Sequence, residues 1–203
     1  MDRSQASRRR LLDAGAVEFA AYGVAGARVD RISADAKVSK AQIYSYYAGK
    51  ESLFDAVLED QVNDILDKAP LSADLPAYAV SLYDAYLEHP QLVRLATWAR
   101  LERVPSGPLF PQADETAKID VIAAAQQAGR IRADVAAADI HSMVIALAMT
   151  WSPSSLTHTA TPADPAEDHH RRRAGLAATV REAFMREADG NRSVTGQQSR
   201  AGS

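Results

Sequence analysis

Between Arg28 and Phe54 the chain reads RVDRISADAKVSKAQIYSYYAGKESLF. This spacing admits two short helices joined by a tight turn and followed at once by a longer helix. Val29, Ile32 and Ala36 recur at helical intervals, so the first short helix buries one side. Ser39-Lys40-Ala41-Gln42 has the form of a capping box. Ser39 accepts the amide of the third helical residue, and the Gln42 side chain is expected to reach back. Ile43 and Tyr47, four apart, face the preceding helix. Ala41, Gln42 and Ser45 then point the other way, flanked by Tyr44 and Tyr46.

A helix face that is small in the middle and polar at its sides suits a DNA major groove. Ala41 permits close approach, and Gln42 can pair with an adenine edge. Tyr44 and Tyr46 can offer hydroxyls to phosphates, Lys40 and Lys50 supply charge, and the helix start at Ser39 offers amides. Two helices around a short turn also occur in all-α proteins that bind no DNA, and Gln42 has capping as a second use. Charge weighs on the DNA side. Residues 1–50 carry nine Lys/Arg against five Asp/Glu, a net of +4, whereas the whole chain stands at −3, leaving about −7 for the remainder.

These residues resemble the TetR family of transcriptional regulators. The resemblance covers roughly residues 8–54, through LLDAGAVEFAAYG and above all VSKAQIYSYY followed by GKESLF. It implies an all-α fold of about nine helices: an N-terminal three-helix helix-turn-helix domain, then a helical ligand-binding and dimerisation domain. It also implies repression relieved by a small molecule. Carried over by position, Arg28 and Lys50 bracket the motif as backbone contacts, while Ser39, Lys40, Ala41, Gln42, Tyr44, Ser45 and Tyr46 fall on the groove-facing helix. Two positions depart from the family pattern. Lys37 stands where a glycine is common in the turn, and a left-handed backbone costs a non-glycine residue about 1–2 kcal/mol. Arg28 replaces the usual threonine, exchanging a hydroxyl for a charge.

The expected boundaries are 1–50 for the DNA-binding domain, 51–188 for the body and 189–203 for a polar tail without core residues, expected to be disordered. Helices are expected at Arg8 to Ala21, ended by Gly23; Glu51 to Lys68, closed by Pro70; Leu75 to Glu88; Gln91 to Arg103; Ala113 to Ala128; Ala136 to Trp151; and His170 to Ala188. Arg8-Arg9-Arg10 has two readings, phosphate contact or a solvated helix start.

Other classes find little support. With no cysteine there is no disulfide framework and no thiol chemistry. The N-terminus MDRSQASRRR has no signal-peptide core, and no apolar run reaches the ~20 residues of a membrane helix. A cytoplasmic protein without membrane association is therefore expected. His89, His141, His158, His169 and His170 show no metal-ligand spacing, and no phosphate loop or Gly-x-Ser-x-Gly is present. No cofactor, metal or enzymatic activity is expected.

The expected partners are a palindromic duplex, a second copy of the chain and a small-molecule inducer. MVIALAMTW, residues 143–151, is apolar nearly all round, and the last helix carries Leu176, Val180 and Phe184 at four-residue spacing. Together they suggest a homodimer through the last two helices. Tyr83, Tyr86, Trp98, Leu101, Phe110, Met143 and Leu147 are candidates to line a ligand pocket, although such stripes also make plain core. The competing reading is a helical small-molecule-binding protein whose helix-turn-helix meets a protein partner.

Overall fold

In the computed structural model, which describes residues 3–109 and 116–186, every regular element is helical among the described residues. The elements are α1 (Arg3–Gly26), α2 (Val29–Ala36), α3 (Lys40–Tyr46), α4 (Lys50–Lys68), α5 (Leu75–Glu88), α6 (Pro90–Glu102), α7 (Thr116–Gln127), α8 (Ala137–Ala148) and α9 (Ala166–Phe184), with a 3-10 turn at Met149–Trp151. The expected disordered tail, 189–203, lies outside the described residues. So do the first residues of the helix expected from Ala113.

The first three helices form a small head around Leu11, Phe19, Ile32, Ala36, Val38, Ile43 and Tyr47, all buried. Phe19 meets Phe54 of α4 edge to face, ring centroids 5.2 Å apart, which joins this cluster to the long helix. From there the buried apolar side chains run without interruption through α5, α8 and α9. The head is therefore packed onto the body, and α1 lies against α6 and α4 as well as against α2.

Helix boundaries differ from expectation in α1, α8 and α9, the last ending at Phe184 rather than Ala188, because Met185 is extended and the Arg186 amide donates to Arg130 O. α1 starts at Arg3, a turn and a half earlier than expected, and Gly23 interrupts it without ending it: at φ 68°, ψ −177° the helix breaks and resumes for one short turn to Gly26. α9 starts at Ala166, behind Pro165, and its first turn carries Glu167 and Asp168, whose charges suit a helix N-terminus. α8 stops at Ala148, and the expected continuation to Trp151 tightens into a 3-10 turn.

The Lys37 backbone is left-handed, φ 54° and ψ 46°, as a glycine at that turn position would be. Amides of Lys37 and Val38 close back on Ala34 O and Ser33 O, and the Ser33 hydroxyl donates to Val38 O at 2.6 Å. Those bonds hold a strained residue in place. No described helix is long and apolar enough to cross a membrane. No cluster of metal-ligating side chains occurs among the described residues.

Candidate nucleic-acid interface and body cleft

Short helices leave most of their backbone ends unpaired, so the reading helix needs outside bonds to persist. Ser39 supplies the first: its hydroxyl accepts the Gln42 amide at 3.2 Å. The second half of the expected capping box is absent. The Gln42 carboxamide turns along the helix instead and donates to the Tyr46 hydroxyl at 3.2 Å. Tyr46, half-buried, also lies 3.0 Å from Ser4 Oγ at the start of α1, and Ser45 Oγ donates to Gln42 O at 2.7 Å. Lys40, Ala41, Tyr44 and Ser45 face solvent; Tyr44 is 55% exposed. The Lys40 ammonium is paired with Asp30 of α2, a hydrogen bond that raises its pKa.

The two bracketing cations differ. Arg28 points to solvent, and its backbone amide donates to Glu18 Oε1 at 2.8 Å. Lys50 is half-buried and donates to Ala25 O and Ala27 O, 3.2 Å each. One of its three N–H groups stays available for a phosphate. Glu18 emerges as a positioning residue that sequence reasoning missed. It is buried inside α1, where burial pushes its carboxyl up. The Arg31 guanidinium, 2.8 Å away, and the Arg28 amide outweigh this and hold it below the usual range.

The arginine triplet resolves into intramolecular contacts. Arg8 donates to the Tyr47 hydroxyl at 3.3 Å, Arg9 holds Asp13 and Asp60, and Arg10 donates to Ala36 O at 3.0 Å, capping the end of α2. Much of the head's positive charge thus pins its own helices.

In the body, one cleft opens between α5, the end of α8 and the loop before α9. Tyr83, Tyr86, Leu87, Ala148, Trp151, Ser152, Pro153 and Ala160 line it. Burial pushes the Tyr86 hydroxyl's pKa up, keeping it protonated. Tyr83 stands at the junction of the cleft and a buried polar layer. Its ring meets Trp151 edge to face at 5.8 Å, and its hydroxyl lies 2.7 Å from His169 Nδ1. Beside it Arg172, 6% exposed, holds Asp164 at 2.7 Å and donates to His158 Nε2 at 3.0 Å, fastening the loop.

The seven pocket candidates are therefore not brought together. Tyr83 and Tyr86 line the cleft. Trp98 packs instead against the break in α1, and Leu101, 71% exposed, sits on the outside of α6. Met143 is 47% exposed on the outer face of α8, and Leu147 is half-buried against the core. Phe110 lies outside the described residues. Helical spacing nominated these residues, but α6 turns its Trp98 face toward the head.

Two family models match the chain. One, described as bacterial regulatory proteins, tetR family, covers residues 11–57; the other, tetracyclin repressor-like C-terminal domain, covers residues 74–182. The HTH-type transcriptional repressor SCO4008 of Streptomyces coelicolor is 33% identical over 153 residues, 73% of this chain and 79% of that protein. The repressor NicS of Pseudomonas putida is 31% identical over 109 residues, 49% of this chain and 51% of that protein. Among solved structures, the transcriptional regulator SCO4942 of Streptomyces coelicolor superposes with a TM-score of 0.73 at 34% identity, covering 88% of this chain and 98% of that one. A TetR family regulator from Marinobacter aquaeolei, 20% identical with a TM-score of 0.67 and coverage of 91% and 98%, shares the fold.

Proposed function

The chain belongs to the TetR family of bacterial regulatory proteins, and on that premise we propose that it is a dimeric, ligand-responsive repressor of a palindromic operator. The observation that carries this reading is the outward face of α3. Ala41 leaves room for a groove floor, Tyr44 and Ser45 project into solvent, Arg28 brings positive charge to its edge, and Lys40 would add its own on leaving Asp30. On docking, Gln42 would exchange its bond to Tyr46 for a base edge, and the Tyr46 hydroxyl, still beside Ser4, would turn to a phosphate.

Dimerisation through α8 and α9 is supported by what those helices leave uncovered. Met143 and Ala146 on α8 and the small Ala174, Gly175 and Ala178 on α9 face outward. Small residues let two helix pairs approach closely, and Met143 fills irregular gaps. Two reading helices related by a two-fold axis would meet half-sites about 34–36 Å apart or a multiple of it. The inducer, small and largely apolar or aromatic, we assign to the region beside Tyr83, Tyr86 and Trp151, where the cleft of about 10 Å³ has room for one water and would have to widen to admit it.

Selection of bound duplexes from a random pool by the purified protein tests the proposal. A palindromic site should emerge, with affinity falling steeply as salt rises. Enrichment of no sequence, or binding indifferent to salt, would overturn it.

A further inference from the structure

A helix break normally leaves donors and acceptors to water, yet the break at Gly23 in α1 is repaired from another part of the molecule. In an uninterrupted helix the Val24 amide would donate to Ala20 O and the Ala25 amide to Ala21 O. The backbone at Gly23 prevents this. Instead Glu102 Oε2 accepts from the amides of Val24 and Ala25 at 2.8 and 3.0 Å. The vacated Ala20 O accepts from Arg94 Nε at 2.8 Å and from Trp98 Nε1 at 3.4 Å. Arg94, Trp98 and Glu102 all belong to α6 and stand four residues apart, so they form one row on one face.

The fit is close. A Cβ on Gly23 would lie 2.6 Å from Glu102 Oε1 and 2.8 Å from the Trp98 ring. Glu102 also breaks a local rule. It is the last residue of α6, where a helix C-terminus disfavours negative charge. The turn that resumes at Val24 presents its positive end there, and it is this foreign helix end that Glu102 caps. Local misfit with a compensating distant contact is what a functional position is expected to show.

We propose that Arg94, Trp98 and Glu102 are positioning residues for DNA reading: α6 splints the broken helix and so sets how α2 and α3 are held on the body. The splinted turn leads directly into Arg28 and α2, and its remaining carbonyls at Ala25 and Ala27 are held by Lys50 from the start of α4. The joint is thus gripped by both helices that link it to the body. A small slide of α6 would release both sides of the break together, because one row of side chains serves them all. This proposal rests on the DNA-reading role given above.

Hydrogen–deuterium exchange on the full-length protein tests the splint without DNA. In Glu102→Gln and in Arg94→Met, peptides covering residues 20–28 and 29–47 should exchange about tenfold faster, while α5 and α9 keep the parent rate. The same variants should bind the duplex selected by the parent about five- to tenfold more weakly, the loss expected when one hydrogen bond that positions the reading helix is weakened. Unchanged exchange at the joint overturns the splint. Equal acceleration in every helix overturns it too, since the row would then serve only general stability. Localised acceleration with undiminished duplex affinity overturns the positioning role. If the parent selects no duplex, the repressor reading fails and with it the role in DNA reading, while the exchange result still decides whether α6 splints the break.

Discussion

The head and the body use their polar side chains differently. In the head, α2 and α3 are so short that their backbone ends need outside partners, and several polar side chains supply them: Arg10 on Ala36 O, Glu18 on the Arg28 amide, Ser39 on the Gln42 amide, Lys50 on Ala25 O and Ala27 O. In the body the helices run up to 19 residues, and beside side chain–backbone bonds such as Gln126 on Arg132 O and Val135 O, partly buried polar side chains also pair across elements. Examples are Tyr83 with His169, Arg172 with Asp164 and Arg173 with Asp84. The head is therefore held in shape by caps at a few points. The body is held by burial, with a polar layer fastening its loop.

The largest effect should come from the body's loop latch. Asp164→Ala strips its carboxylate partner from the buried Arg172, and the midpoint of chemical denaturation should fall further than for any change below. An unchanged midpoint would mean that water already serves Arg172. The pH dependence has a definite sign. The Arg172 guanidinium first, and then the Thr161 hydroxyl, hold the Asp164 carboxyl down to about 2 from its ordinary 3.8. Its contribution is fully present above about pH 4 and is lost as the pH falls through about 2. Asp164→Ala should therefore flatten the acid limb of the parent's stability profile.

Next is the break in α1. Gly23→Ala forces a side chain into a positive φ and against Glu102 and Trp98, which should cost about 2 kcal/mol in the same assay. A neutral or stabilising result would show that the break is optional and that the head needs no such joint.

A smaller loss is expected at the buried hydroxyl. Tyr83→Phe leaves His169 Nδ1 without its 2.7 Å partner, for about 1–2 kcal/mol of thermal or chemical stability. If a cleft ligand stabilises the parent, this variant also tells whether the hydroxyl serves that ligand, since the ring and its contact with Trp151 remain.

The smallest effect belongs to one cap. Ser39→Ala should cost about 1 kcal/mol, read most directly as faster amide exchange at Gln42. Confinement of that change to α3 would sharpen the picture of a head held point by point. Spread into α5 or α9 would break it.

Legibility follows the same division. The motif from Arg28 to Phe54 and the Ser39 cap could be read because each depends on residues a turn or two apart, whereas the left-handed Lys37 was legible only through the family resemblance. The Gln42 side chain was misread because its choice between Ser39 and Tyr46 depends on how Tyr46 sits beside Ser4 of another helix. In the body, helical periodicity located α4 to α6 nearly to the residue, yet it could not say which neighbour each face meets. Trp98 and Leu101 were nominated for a pocket from helical spacing, which does not say which way a face turns. The splint had a faint signal in advance: a glycine inside a helical pattern, and an acid closing a distant helix.

By itself the sequence determined an all-helical chain, the helix-turn-helix, its family and the concentration of positive charge in the first 50 residues, because spacing and capping act within a few bonds along the chain. Only the tertiary structure decided how that charge is spent, with Arg8, Arg9 and Arg10 on internal partners, and which side chains face the cleft. It alone brought Glu102 to a break 78 residues away. Such pairings depend on how packed helices rotate about their axes, and burial of the whole core sets that rotation.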